Sequence, residues 1–265
     1  MMTRFHPIVL LLLWGLIGTW VSPARAEVDR EQLLAEPGIY GTFAVFALDN
    51  EWGRLEPSAR IARLATLKGA VEQHRENVAI DVYLLRGLSD QADLLFRIHA
   101  MALRDTQEFL LDLQSSRFGK HLTGIKVMHG LTKKPNYVPE FPDQLRTDLK
   151  APSETGEKPY AIVIPIRKSA EWWELDQKKR TALMHEHTAV TLPFLKTIKR
   201  KLYHSSGLDD VDFITYFETS SLEDFHGLVL SLQKVKEFGY TRQFGNPLLL
   251  GTVQSLDHVI EVLAQ

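Results

Sequence analysis

The chain has 265 residues, 45% of them hydrophobic and 24% charged, which is ordinary for a folded globular protein of one large domain or two small ones. Its formal net charge of −2 offers no basic surface of the kind a nucleic-acid partner needs. The absence of cysteine excludes disulfides, thiolate metal sites, iron–sulfur clusters and a cysteine nucleophile together.

The first residues read as an export signal. Arg4 gives a positive start, and the run from Ile8 to Ile17 is almost wholly apolar yet short for a bilayer span. Ala24-Arg25-Ala26 then supplies the small-x-small pattern that precedes cleavage. Residues 1–26 are therefore expected to be a signal peptide cut after Ala26, with the mature chain beginning at Glu27 in a periplasm, free of the membrane. An uncleaved anchor is the competing reading.

Beyond it the chain divides into two similar halves. In the first, Ile39 to Leu48 is a strand candidate, and Pro57 to Glu76 has helical spacing with Ile61, Leu64, Leu67 and Val71 on one face. Val78 to Leu85 reads as a second strand. Asp90 can cap a helix running to about Gln114 with Leu94, Ile98, Met101 and Ala102 on its face, and Thr123 to Met128 makes a third strand. Pro135, Pro139, Pro142 and Pro152 then mark a linker over residues 132–157. The second half, 158–265, repeats the order. Tyr160 to Ile166 is a strand, and Ser169 to about Tyr203 is helical with a break near Pro193. Val211 to Glu218 is a strand, Ser221 can cap a helix through Glu237, and Thr241 to Val253 holds the last strand before a terminal helix from Ser255. The stretches DVYLLRGLSDQADLLFRIHAM and DFITYFETSSLEDFHGLVLSL look alike, each a strand, a polar turn and an amphipathic helix. The expected class is α+β: two ferredoxin-like modules, 27–131 and 158–265, forming a dimeric α+β barrel within one chain.

The most informative segment is KSAEWWELDQKKRTALMHEHT. His185 and His187 are two apart, so on a helix they point ~200° away from each other and cannot chelate one zinc. The zinc-protease pattern, His at i and i+4 around a Glu, is absent. Each could be an ordinary surface histidine, and the nearby aromatics ordinary core. A single axial haem ligand needs only one imidazole facing an apolar pocket.

EWWELDQKKR, MHEHT and the following KRKLYHSSGLDDVDFITYFET resemble, in order and spacing, the C-terminal half of the chlorite dismutase family, over roughly residues 158–255. The resemblance implies a haem enzyme converting chlorite to chloride and dioxygen, with one haem b per chain in the second module and none in the first. It implies His187, not His185, as the iron ligand and Arg200 as the cation that attracts, orients and retains the reacting anion. It gives Glu237 as the acceptor for His187, held in turn by Lys168. Leu202, Thr215 and Phe217 would line the substrate side; Thr215 and Phe217, two apart on a strand, share a face. Trp172 and Trp173 match aromatics near the haem, and Asn136 and Tyr137 resemble contacts to its propionates. Relatives are ring-shaped homo-oligomers, often pentamers. One departure is Phe244, where relatives commonly carry a tryptophan before the Gly-Asn-Pro turn; the indole N–H is lost. Spacing alone does not bring His187 and Arg200 together, since a continuous helix would hold them ~20 Å apart. Other readings are a coprohaem decarboxylase or dye-type peroxidase of the same superfamily, and a periplasmic haem-binding protein without catalysis.

Overall fold

The computed structural model describes residues 27–134 and 159–265. The expected signal peptide, most of the expected linker, and Asn136 and Tyr137 within it lie outside the described residues. A short helix α1 (Arg30–Ala35), capped by the Asp29 side chain, opens the fold. The first half follows as β1 (Tyr40–Leu48), α2 (Pro57–His74), β2 (Val78–Leu84), β3 (Leu94–Ala100), α3 (Leu103–Ser115) and β4 (Leu122–Leu131). The second half has β5 (Tyr160–Lys168), α4 (Ala170–Glu174), α5 (Gln177–Thr191), β6 (Ile198–His204), β7 (Phe213–Thr219), α6 (Leu222–Leu232), β8 (Thr241–Phe244), β9 (Leu249–Gln254) and α7 (Leu256–Ala264). The first half is therefore strand–helix–strand–strand–helix–strand, the ferredoxin-like order with one more strand than the sequence pattern suggested; the second half keeps that order but has two helices after its first strand, two short strands, β8 and β9, in place of its last, and the terminal helix α7.

The two added strands correct two expected helices. Residues 94–100 are buried on both faces. Leu94, Phe96 and Ile98 pack under the helices, while Leu95 joins the opposite core. A strand buried on both sides, with Arg97 and His99 turned inward, lacks the pattern of a strand with one face in water, so the spacing of Leu94 and Ile98 mimics a helix. Likewise the long helix expected from Ser169 to Tyr203 is interrupted twice. Asp176 accepts from Lys179 N at 2.8 Å to start α5 afresh. Pro193 then sits in a 3₁₀ turn, after which the chain enters β6, so Arg200 lies on a strand and not on a basic helix end. Ser221 and Ser255 do cap helices, accepting from Asp224 N and His258 N, although α6 ends at Leu232 rather than Glu237.

The strands form one sheet in the order β7-β6-β4-β1-β3-β2-β9-β5, and β5 pairs again with β7, so the sheet closes into a barrel. Each half contributes four neighbours, and β4–β6 and β2–β9 join the halves at their edges. One edge of β5 runs along β7; the other is shared by β9 at Tyr160–Val163 and β8 at Ile166–Lys168. Phe43, Tyr83, Leu95, Met128, Val163, Tyr203 and Tyr216 fill the interior. Outside the first half, α2, α3 and the returning α7 bury Phe46, Leu64, Phe96, Phe109 and Val259, and Trp52 donates to the Leu263 carbonyl of α7 at 3.2 Å. Outside the second half, α5 and α6 lie on Ile162, Ile164, Ile198 and Phe217.

The internal repeat is real but shifted from its expected register. It relates the β2–β3 turn to the β6–β7 turn. Leu85 N bonds Asp93 O at 2.9 Å and Ser205 N bonds Asp212 O at 2.8 Å. Gly87 and Gly207 both take positive φ, 84° and 80°. The Asp93 carboxylate accepts from Leu48 N and the Asp212 carboxylate from Lys168 N, each at 2.7 Å.

Candidate active site

Four elements of the second half converge on one line of polar groups. His187, on α5, has its Nδ1 2.9 Å from Glu237 Oε2 in the 3₁₀ turn Lys236–Tyr240. The other Glu237 oxygen pairs with the Lys168 ammonium at the end of β5. Lys168 Nζ also donates to Thr241 Oγ1 at 2.8 Å and lies 5.0 Å from the centre of the Trp172 ring. Lys168 and Glu237 are buried. A buried ion pair is tolerated only when its remaining valences are satisfied; here Thr241 and His187 satisfy them. Burial brings Lys168 down to about 8. Burial, with the positive charges of Arg200 and Lys168, pushes His187 down to about 3. The imidazole is thus neutral near pH 7. With Nδ1–H given to a carboxylate, its Nε2 keeps a free lone pair.

Arg200 reaches the same region from β6. The turn at Pro193 reverses the chain, and the Arg200 charge comes close enough to act on His187. Its Nη1 donates to Thr191 Oγ1 at 2.8 Å. Thr191 is the last residue of α5, so one helix carries His187 and the group that aims Arg200. Burial lowers Arg200 to about 10, which leaves it protonated at neutral pH. Among the described residues no carboxylate lies within ion-pair distance of it.

The sheet supplies the wall. Across three strands Arg200, Phe217 and Ile162 are register partners, as are Leu202, Thr215 and Ile164. Both rows face the helices, because strand side chains alternate. Phe217 packs edge-on against Phe225 of α6 at 5.3 Å, Thr215 donates to Ile164 O at 3.1 Å, and Leu202 is left 36% exposed. The two tryptophans differ. Trp172 is buried beside Tyr240, whereas Trp173 is 45% exposed and stacks on Phe213 at 6.0 Å. His185 is exposed. Phe244 pairs in register with Ile166 and packs on Phe238 at 5.6 Å, inside the apolar layer.

Sequence reasoning passed over three residues that hold these groups. Asp212 fixes Lys168, Thr241 shares the Lys168 ammonium, and Thr191 orients Arg200. For Asp212 a signal existed, the GLDDVD turn matching GLSDQAD. Among the described residues, no three His, Cys, Asp or Glu side chains converge as a metal-binding group.

Comparison with known proteins gives a consistent picture. The family model for chlorite dismutase matches residues 60–254. A chlorite dismutase from Ideonella dechloratans is 39% identical over 243 residues, covering 91% of this chain and 85% of the relative. The solved chlorite dismutase of Candidatus Nitrospira defluvii in complex with imidazole is 58% identical, with a TM-score of 0.84 over 89% of this chain and 100% of that one. A haem-binding protein from Thermus thermophilus is 21% identical with a TM-score of 0.73 over 87% of this chain and 96% of that one, a likeness of fold alone.

Proposed function

Because this chain belongs to the chlorite dismutase family and is an enzyme of chlorite conversion, we propose that it works with a haem b bound through His187 and releases chloride and dioxygen. The residues fit that group. His187 offers a neutral nitrogen donor through Nε2, its Nδ1 being taken by Glu237, and among the described residues no group of three His, Cys, Asp or Glu side chains forms around it. A metal there must take its remaining ligands from elsewhere, as iron in a porphyrin does. The wall of Ile162, Ile164, Leu202 and Phe217 suits a large apolar disc. When bound, the haem would supply a redox-active iron able to exchange oxygen with chlorite.

The protein's own part is electrostatic and positional. Arg200, with no neutralising carboxylate among the described residues, attracts the chlorite anion; at ~4 Å and an effective dielectric of ~20 that attraction is about 4 kcal/mol. Thr191 holds the guanidinium in one direction, and the surrounding apolar side chains keep water from screening it. Arg200 would also retain the chlorine-containing anion close to the site while the haem's chemistry runs to completion. Glu237, itself anchored by Lys168, fixes the His187 tautomer and strengthens its donor nitrogen. The observation that carries the reading is the Lys168–Glu237–His187 line facing the Arg200 cation within one apolar layer. Asn136 and Tyr137 as propionate contacts, residues 1–26 as a periplasmic export signal, the module boundaries and a homo-oligomeric, pentameric ring belong to the same proposal. They rest on sequence pattern and family.

Replacing Arg200 by Ala tests the assigned role. Oxygen release should fall by at least the ~100-fold typical of removing a charge-stabilising donor, and hypochlorite trapped by a chlorination probe should rise per turnover. A variant that turns over like the parent and leaks no more oxidant removes Arg200 from the mechanism.

A further inference from the structure

The barrel interior holds a second polar cluster that the chlorite chemistry does not use. Arg97, fully buried on β3, donates through Nε and Nη2 to the Tyr203 hydroxyl at 3.2 and 3.0 Å and through Nη1 to Tyr83 at 3.4 Å. Its guanidinium also lies 3.8 Å above the ring of Tyr216. Counting donors fixes the protons. The Tyr203 oxygen receives two N–H groups, so its own O–H points to His99 Nε2, 2.7 Å away. Tyr216 donates to Glu218 Oε1. The Tyr83–Tyr216 contact of 2.9 Å is then a bond from Tyr83 to Tyr216. Two chains thus leave Arg97: one runs through Tyr203 to His99, the other through Tyr83 and Tyr216 to Glu218. Each ends on a base with a buried atom lacking a partner among the described residues, His99 Nδ1 and Glu218 Oε2.

These chains are not equivalent as proton acceptors. Burial and the Arg97 charge push His99 well below its ordinary value, so charging it inside the barrel is costly. Glu218 Oε1 lies 4.0 Å from Arg97 Nη1 and becomes neutral when it takes a proton, while Asp81, 3.6 Å from the same Nη1, remains as the counter-charge to Arg97. Tyr216 is also the better placed phenol. It sits on β7 between Thr215 and Phe217, whose side chains face the candidate site while its own faces inward. A single sheet, one layer of ~10 Å, separates it from that site.

We propose that Tyr216, with Glu218 as its proton acceptor and Tyr83 behind it, is a second redox site that donates an electron across the sheet to the haem when that centre has been oxidised. The inference rests on the haem reading above. The oxidant is chlorite, the enzyme's substrate, or another oxygen-atom donor such as a peracid. In the step the Tyr216 O–H bond breaks, the proton moves to Glu218 Oε1 and forms a carboxylic acid. One electron reduces the oxidised haem centre by one equivalent, and a neutral phenoxyl radical remains. Arg97 above the ring opposes a positive charge there, so the electron leaves only together with the proton. Tyr83 bonds to the phenoxyl oxygen and can pass it a hydrogen atom. Such a site would drain oxidising equivalents that escape productive turnover into the barrel core.

The experiment is freeze-quench electron paramagnetic resonance on the haem-loaded protein mixed with peracetic acid, with absorption spectra taken in parallel. The expected result is an organic-radical signal that narrows when the protein carries ring-deuterated tyrosine, a label that alters no contact. The signal should shrink several-fold in Glu218→Gln and in Tyr216→Phe, both close in volume to the parent, while the ferric haem spectrum stays unchanged. Tyr40→Phe, outside the cluster, should leave it intact. Haem that is oxidised without a tyrosine-derived radical, or a signal equally strong in Glu218→Gln and Tyr216→Phe, overturns the proposal and leaves the haem reading standing. A protein that takes up no haem overturns both.

Discussion

On the outer face of the first half, Ile80 pairs with Ile98 and Val82 with Phe96; at the matching places in the second half Arg200 pairs with Phe217 and Leu202 with Thr215. The correspondence follows from the two turns, whose glycines and aspartates make the same bonds. The strands are alike, yet a branched aliphatic side chain, Ile80, has become a guanidinium and a phenyl ring, Phe96, has become a hydroxyl. The helices differ in the same sense. The first half receives α7 in addition to α2 and α3, whereas the second is left with α5 and α6 and an exposed Leu202 and Trp173. The end of the first strand of each half shows it too: Asp93 pins Leu48, while Asp212 pins Lys168, which goes on to hold Glu237 and His187. One scaffold serves as packing in one copy and as a site in the other, and the change is made by a few outward-facing residues.

The strongest way to break this contrast is to fill the open face. Thr215→Phe restores the ring found at Phe96 and should abolish haem uptake and oxygen release while the fold persists; titration of the variant with haem and its circular dichroism check both halves of that statement. The reverse change in the packed face should act on stability alone. Phe96→Ala removes a fully buried ring and should cost ~3–5 kcal/mol, lowering Tm by roughly 6–20 °C. The affected property in that variant is thermal unfolding, and turnover per folded, haem-loaded molecule should hold. The smallest effect concerns charge. In the proposed role, anion binding needs protonated Arg200, and burial has lowered this group from its ordinary value to about 10. The site is charged below that pH and neutral above it, so KM for chlorite should climb as pH approaches about 10. A KM constant through that range would separate the cation from substrate binding.

Much of this contrast was legible in the sequence, and the unread parts have specific causes. Strand β1, helix α2, the Ser221 and Ser255 caps and the break at Pro193 follow from local patterns. Strand β3 was hidden because both of its faces are buried, and with it Arg97 and His99, which look like charges on a helix until the strand points them into the barrel. Strand β6 was hidden because Lys199, Arg200 and Lys201 suggest a basic helix end, when alternation sends Arg200 one way and Lys201 the other. The site itself joins residues from β5, α5, β6 and the turn after α6. No spacing along the chain encodes that meeting; it depends on closure of the sheet. The resemblance named His187, Arg200, Glu237 and Lys168, and the folded chain brings all four to one face; Asp212 was signalled by the repeated turn, whereas Thr191 and Thr241 could be found only from their hydrogen bonds.

The proposed function requires the open second face to bind haem through His187 and to use it on chlorite. The direct measurement is to load the protein with haem, record its absorption spectrum, and follow oxygen on adding chlorite, for the parent and for His187→Ala. A ferric haem spectrum and prompt oxygen release are expected in the parent, with both lost in the variant. Unchanged haem binding and oxygen release in His187→Ala would contradict it.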